Sequence, residues 1–175
     1  PIGGMKTAGQ TWFIHHNSDE LIDFENDVFG SGVLKDYVTA FAFTYIYSPE
    51  ERDVKLAVGY NNGITVWLNG NKILDKSSEC RYGYGETEDV VNTHLNKGMN
   101  KLLIRVGEKT GVWVFKARFK FLDGRPMTDV NISIPSYSYN CEDFNGWVTY
   151  TFSSSSCCSL YNYTYYASYY CSGKS

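Results

Sequence analysis

The chain has 175 residues, a formal net charge of −3 and 20% charged residues. This length suits one domain with a sizeable core, and so small a charge provides no basic field that would favour nucleic acid. No stretch approaches the roughly 18 consecutive apolar residues of a membrane helix. We therefore expect neither a nucleic-acid partner nor a membrane span. The aromatic share of 17% favours half-buried strands over a helical bundle.

Helical periodicity is almost absent from the first part of the chain. The one candidate, residues 19–27, is short and has apolar residues at mixed spacing, which predicts a loop or a single turn. The first clear strand signal covers residues 37–48, whose two faces are both apolar. Residues 54–58 and 64–68 then alternate as strands do, and Asn69-Gly70 offers the positive φ angles of a type I′ hairpin turn.

The alternation continues towards residue 121. Residues 91–95 and 102–106 read as strands on either side of a turn at 96–98. In residues 112–121, five apolar side chains alternate with three cations, as in an outer strand with one face in the core and one in water. Seven or eight strands with no intervening helices predict an all-β fold, a two-layer antiparallel β-sandwich of jelly-roll type. The three tryptophans within these patterns are expected in its core: Trp12, Trp67 and Trp113.

Three stretches carry a resemblance to a known family. They read FTYIYSPEERDVKLAVGYNNGITVWLNGNKIL, EDVVNTHLNKGMNKLLIRV and GVWVFKARF. Over about residues 11–127 the chain resembles the galactose-binding-like β-sandwich modules attached to bacterial glycoside hydrolases and other secreted proteins. The resemblance implies a non-catalytic module, and such modules range from sugar binders to spacers that bind nothing. Many relatives carry Ser-Asp-Asp-Gly where this chain has Tyr60-Asn61-Asn62-Gly63, so the contacts of those two carboxylates are lost here.

Strand reversals bound the position of a site. If each strand runs antiparallel to the last, loops 59–63, 76–88 and 107–111 share one end of the sandwich, and the turns at 69–71 and 96–99 lie at the other. Aromatic rings can stack on a pyranose ring, and planar polar groups can hydrogen-bond its hydroxyls. The first end gathers the candidate ligand-binding residues Tyr60, Asn61, Asn62, Arg81, Tyr82, Tyr84 and Lys109. The alternative is that residues 82–85 form an ordinary surface loop.

Other candidate chemistry is sparse. The three histidines, His15, His16 and His94, lack metal-ligand spacing, so we expect structural or solvated roles. The cluster Glu86, Glu88 and Asp89 could form an acid/base pair, a calcium site or a solvated acidic loop, and galactose-binding-like domains often hold a structural Ca²⁺. No nucleophile or phosphate-loop motif accompanies these residues. The sequence therefore predicts that the protein is not an enzyme.

The last 45 residues change in composition. Residues 131–175 hold only three charged residues, with nine Tyr, eleven Ser and four of the five Cys. We predict two units: a sandwich of residues 1–130, and a Tyr/Ser/Cys-rich β extension of residues 131–175. Strands of this kind lack the lysines that keep sheet edges from pairing. The extension is therefore expected to pack on its own sandwich or on a neighbouring chain.

Cysteine usage in the extension suggests an oxidising compartment. Two bridges are predicted, from Cys141 and Cys171 to the vicinal pair Cys157 and Cys158, because a bond within the pair would strain the peptide. This leaves Cys80 as a free thiol or an intermolecular bond. Two triplets fit the N-glycosylation pattern, at Asn131 and Asn162. We expect an extracellular or cell-surface protein.

Two functions remain open at this point. The first is a carbohydrate-binding or accessory module, which the family resemblance favours. The second is a structural subunit of an extracellular filament, sheath or surface layer, assembled through residues 131–175, which the composition of the extension favours. The resemblance covers more of the chain, so the module is the preferred prediction.

Overall fold

The computed structural model describes residues 6–7, 10–12, 14–15, 20–29, 36–83, 85 and 87–133. As predicted, the fold is all-β, and two antiparallel sheets pack as a sandwich. The described residues form eleven strands and one helical turn: β1 Lys6–Thr7, β2 Gln10–Thr11, β3 Leu21–Asp23, the turn Phe24–Val28, β4 Val38–Ser48, β5 Arg52–Tyr60, β6 Asn62–Leu68, β7 Asn71–Arg81, β8 Glu88–Leu95, β9 Gly98–Glu108, β10 Val114–Lys120 and β11 Asn131–Ser133.

The two layers differ in size. One sheet has four strands in the order β3-β10-β5-β8, the other has five in the order β11-β4-β9-β6-β7, and β1 and β2 form a separate two-stranded ladder. From β4 to β10 the chain passes repeatedly from one sheet to the other, which gives the jelly-roll character. All neighbouring pairs are antiparallel.

The core lies between the sheets and follows the period-two alternation. In β5, Val54, Leu56 and Val58 are fully buried, and in β6 so are Ile64 and Val66. Successive strand residues point to opposite faces, so these side chains all project from their sheets into the same interlayer space. The strong alternation in the sequence therefore reflects which side chains face the core between the two sheets.

The part of the predicted 19–27 stretch that the structure describes is more than a loop. Leu21–Asp23 forms β3, which pairs with β10, and Phe24–Val28 forms the single predicted turn. The Asp23 carboxylate accepts hydrogen bonds from the backbone N–H groups of Glu25 and Asn26, which caps that turn. A strand of three residues is too short to show alternation, so the sequence analysis missed it. Because β3 covers its edge, β10 is second in its sheet and not outermost.

The tryptophan prediction holds for one residue of three. Trp113 is buried at 4% exposure and packs on Phe24 in the core. Trp67 is half-buried and lies on the outer face of the five-stranded sheet, because its neighbours Val66 and Leu68 occupy the core face. On the adjacent strand it is paired with Leu103. Trp12 is also half-buried, and its ring meets the edge of Phe43 at a centroid distance of 6.3 Å.

No helix among the described residues is long and apolar enough to cross a membrane. Residues 134–175 lie outside the described part of the chain, so the predictions on the extension, on its four cysteines and on Asn162 stay predictions. Asn131 is described: it is exposed and begins β11, which pairs with β4. Cys80 is disulfide-bonded, so it is not the free thiol that was one of its two predicted states.

Candidate functional site

Three loops meet at one end of the sandwich, as the strand reversals predict. Asn61 Nδ2 donates a hydrogen bond to Gly83 O at 3.0 Å, which joins the turn between β5 and β6 to the segment after β7. Asn62 Nδ2 donates to Glu108 Oε2 at 3.0 Å, which joins the same turn to the end of β9. The turn at residues 60–62 therefore connects the other two segments at this end.

The two Asn-Gly pairs have different roles. Asn69 and Gly70 have φ angles of 52° and 85°, and they form the predicted hairpin turn between β6 and β7. At the other pair Asn62 has a φ of 59°, but Gly63 is required for space: a Cβ there would lie 2.7 Å from Ser77 O on β7. The first pair therefore starts a strand and lets two backbones approach each other.

An open depression of about 350 Å³ lies beside this turn, lined by Tyr60, Arg81, Tyr82, Gly85 and Thr87. Tyr82 presents its ring to solvent, with 78% of the residue exposed. Tyr60 is only 2% exposed, so it forms the floor of the depression and offers little surface to a ligand. An exposed ring above a polar floor can stack on a flat, partly apolar molecule.

The floor is a network of paired charges. The Arg81 guanidinium lies 4.6 Å from the centroid of the Tyr60 ring, and its Nη2 lies 2.9 Å from Asp89 Oδ2. Its Nε donates to Glu79 Oε2 at 2.8 Å, and Lys76 Nζ pairs with Glu79 Oε1 at 2.7 Å. Two cations and two carboxylates balance, so the floor is polar without a strong net charge.

The Tyr60 hydroxyl is locked into this floor. It donates to Asp89 Oδ2 at 2.6 Å, and burial together with that hydrogen bond raises the pKa of Tyr60 far above its usual value. The phenol therefore stays neutral and keeps its donor role. Its ring position under Arg81 is fixed from two sides.

A backbone contact holds the far side of the depression. A Cβ on Gly59 would lie 2.0 Å from Gly85 O, and one on Gly85 would lie 3.1 Å from the Gly59 carbonyl carbon. The segment that contains Gly85 therefore rests directly on β5, where only glycine leaves room. Gly85 itself has a φ of 75°, which also favours glycine.

The predicted site residues differ in where the structure places them. Asn61 and Asn62 are buried, at 2% and 0% exposure, and join loops together. Arg81 and Tyr82 line the depression, whereas Lys109 is not among the lining residues, and its carbonyl accepts a bond from Tyr37 N–H. Tyr84 lies outside the described residues. Whether this set binds a ligand stays a prediction.

Four residues of this site were not among the ligand-binding residues predicted from the sequence, although Asp89 was named there as part of the acidic cluster. Gly85 and Thr87 line the depression, and Glu79 and Asp89 hold its floor. Glu79 could have been found from its spacing, because residues two apart on a strand share a face and Glu79 precedes Arg81 in that way. Gly85 left no comparable signal, since its contact with Gly59 is long-range.

The acidic cluster does not act as one unit. Glu88 pairs on the outer face with Lys116, Arg118 and Lys120, at 3.5, 3.3 and 2.8 Å. Asp89 points to the other face and pairs with Arg81, because consecutive strand residues alternate. The bond from Lys120 holds the pKa of Glu88 below its usual value. Glu88 and Asp89 therefore cannot share a proton or a calcium ion, and Glu86 lies outside the described residues.

The histidines do not lie together at the depression. His94 lies at the opposite end, with Nδ1 at 2.8 Å from Asp53 Oδ1, and this bond raises its pKa. His15 is half-buried, and His16 lies outside the described residues. Within the described part of the chain, no group of three or more His, Cys, Asp or Glu side chains could hold a metal ion.

Comparisons with protein-family models, with curated proteins and with solved structures found no match. The β-sandwich is therefore established by the structure alone, and the galactose-binding-like relationship stays a prediction.

Proposed function

We propose that this protein is a non-catalytic, extracellular carbohydrate-binding module of galactose-binding-like type, with its ligand in the depression beside Tyr82. The observation that carries the proposal is the combination of one exposed aromatic ring with a charge-balanced polar floor. A neutral saccharide has an apolar ring face that suits Tyr82, and hydroxyls that suit the rim of a polar depression. The balance of charge in the floor disfavours a strongly charged ligand.

The test is a glycan-array screen of the full chain, followed by titration of each glycan that binds. Tyr82→Ala should weaken binding at least about tenfold, which corresponds to about 1.4 kcal/mol. Tyr47→Ala is a matched control, because Tyr47 is also exposed, at 42%, but lies on the outer face of the five-stranded sheet. An intact fold that binds no glycan above background would refute the proposal.

A second function, a structural subunit of an extracellular assembly joined through residues 131–175, is favoured by a different observation. The outer face of the five-stranded sheet is rich in aromatic and apolar side chains, and three are well exposed: Phe41 at 41%, Tyr47 at 42% and Met99 at 52%. Strand β11 is the edge of this same sheet, and the chain continues from it. Exposed apolar patches commonly mark contacts with other chains.

Size-exclusion chromatography of the full chain, with and without reductant, separates the two functions. A monomer in both conditions supports the module. A polymer that dissociates in reductant supports the subunit and a role for its cysteines.

A further inference from the structure

We propose that Glu108, in its uncharged form, is the positioning residue of the depression, and that its ionisation in alkaline solution loosens the turn at residues 60–62 and weakens ligand binding. This inference rests on the proposed function of the depression. It concerns a residue that does not itself line the depression, and its structural half can be measured without a ligand.

Three hydrogen bonds connect Glu108 to the wall of the depression. Glu108 is the last residue of β9 and is 1% exposed, and its Oε2 accepts from Asn62 Nδ2 at 3.0 Å. Asn62 Nδ2 also donates to Asn61 Oδ1, and Asn61 Nδ2 donates to Gly83 O at 3.0 Å. Gly83 lies between the chain positions of two lining residues, Tyr82 and Gly85. A change at Glu108 is therefore passed on to this wall by consecutive contacts.

The network is incompletely satisfied. Glu108 Oε1 and Asn62 Oδ1 are both buried and have no hydrogen-bond partner among the described residues. A carboxylate in such a place would carry a full charge with a single side-chain donor, which is costly in a buried site. A carboxylic acid carries its own O–H and no charge. The geometry therefore fits the protonated form of Glu108.

The surrounding charges act in the same direction. Among the described residues, the charged side chains with the largest effect on Glu108 are Asp36, just before β4, and Glu25, in the helical turn, and both are acidic. In the opposite direction, the hydrogen bond from Asn62 and the nearby backbone N–H of Lys109 favour the carboxylate and lower the pKa. Burial is the largest effect, and the pKa of Glu108 is raised from 4.5 to about 8.

Ionisation has a definite structural consequence. Above its pKa the carboxylate accepts a stronger hydrogen bond from Asn62, but the cost of burying its charge is the larger effect, so it gains by moving towards water and that movement breaks the bond to Asn62. Asn62 has a φ of 59°, a left-handed conformation that asparagine adopts with the help of side-chain hydrogen bonds such as the one to Glu108. Without that bond the turn relaxes, and the Asn61 contact with Gly83 is lost with it.

The first experiment follows the side-chain amide resonances of Asn61 and Asn62 by NMR from pH 6 to pH 10. In the wild type they should titrate together, with a midpoint near pH 8. Glu108→Gln keeps an uncharged side chain of the same length, so the resonances should not titrate in that variant. Glu50→Gln, at an exposed glutamate with a side-chain exposure of 67%, is the matched control and should titrate as the wild type does. Wild-type resonances that do not move between pH 6 and pH 10 would overturn the inference, whether or not the variant folds.

The second experiment measures the dissociation constant of a glycan from the array at pH 6.5 and pH 9.5. The wild type should bind at least about tenfold more weakly at the higher pH, and Glu108→Gln should change less than about twofold. An equal loss in both proteins would show that Glu108 does not position the site. If no glycan binds but the amides titrate as expected, the proposed function fails while the structural half of this inference stands.

Discussion

The two ends of the sandwich are closed by buried asparagine networks that differ in how completely they are satisfied. At the end opposite the depression, Asn100 is fully buried; its Nδ2 donates to Asn96 O at 2.8 Å, and its Oδ1 accepts from Asn96 N and from Asn69 Nδ2. At the end with the depression, Asn62 is equally buried, but its Oδ1 and the Oε1 of Glu108 have no partner among the described residues.

The difference separates a structural end from a candidate functional end. Native proteins satisfy nearly all of their buried polar groups. Arg52, at the opposite end, also has two unpartnered nitrogens, so the difference concerns the two asparagine networks and not every polar group of each end. Asn100 connects a strand end, a turn and a hairpin with bonds that no change of pH alters. The pair of Asn62 and Glu108 connects two loops beside a depression through a group that titrates. Four changes, from the largest expected effect to the smallest, test whether the two ends differ in this way.

The largest effect concerns the pH dependence of stability at Glu108. Its pKa is about 8 in the folded protein and 4.5 ordinarily, so between these values the folded state holds one more proton than the unfolded state. The free energy of unfolding therefore falls as pH rises through this window, by up to about 1.4 kcal/mol per pH unit, and the stability is lost above the folded pKa.

Urea unfolding of the wild type and Glu108→Gln at pH 5.5, 7 and 8.5 measures this slope. The difference in free energy of unfolding between the two proteins isolates the contribution of Glu108, because His94 and the other ionisable side chains are present in both. We expect the free energy of unfolding of the variant, relative to that of the wild type, to increase with each rise in pH. Parallel pH profiles would show that the two ends do not differ in their titration.

The second change removes the satisfied network. Asn100→Ala leaves the N–H and carbonyl of Asn96 and the amide of Asn69 without their partner, so the free energy of unfolding should fall by about 3 kcal/mol. Asn92→Ala, at an exposed position of β8, is the control and should change it by less than about 0.5 kcal/mol. Unfolding in urea measures both, and a loss below about 1 kcal/mol at Asn100 would remove the contrast between the ends.

The third change introduces a steric clash at the wall of the depression. Gly59→Ala places a Cβ 2.0 Å from Gly85 O, so the segment must move away and about 2 kcal/mol of stability should be lost. Gly107→Ala is the matched control, because its Cβ would meet only Gly63 O, at 3.7 Å. Thermal unfolding and glycan titration should show both stability and affinity reduced in the first variant. Equal behaviour of the two variants would mean that the Gly85 segment is not held by β5.

The smallest effect is expected at the floor. Tyr60→Phe removes the hydroxyl that donates to Asp89 but keeps the ring under Arg81, so the loss should be about 1 kcal/mol. Tyr47→Phe changes an exposed tyrosine and should have almost no effect. If Tyr60→Phe left the free energy of unfolding unchanged, the ion pairs of Arg81 would hold the floor without the hydroxyl.

The strand framework could be predicted from the sequence, whereas the candidate site could be predicted only in outline. Alternation located β5, β6, β9 and β10, and the Asn69-Gly70 turn followed from backbone chemistry alone. Counting reversals also brought the correct loops to one end. The roles of individual residues were less accessible: Asn61 was expected to contact a ligand, but it is 2% exposed and ties loops together.

What the sequence determined by itself was the face of each side chain within a strand, because a period of two leaves no other choice once the strand exists. Only the tertiary structure decided which face of a doubly apolar strand is covered, as with Trp67, and which distant polar groups meet. Asn62 and Glu108 are 46 residues apart, and their contact depends on the register in which β6 pairs with β9 within the five-stranded sheet. Local patterning does not encode which strands become neighbours or in which register, so the pair on which the proposed pH response depends is decided only by the long-range pairing of β6 with β9.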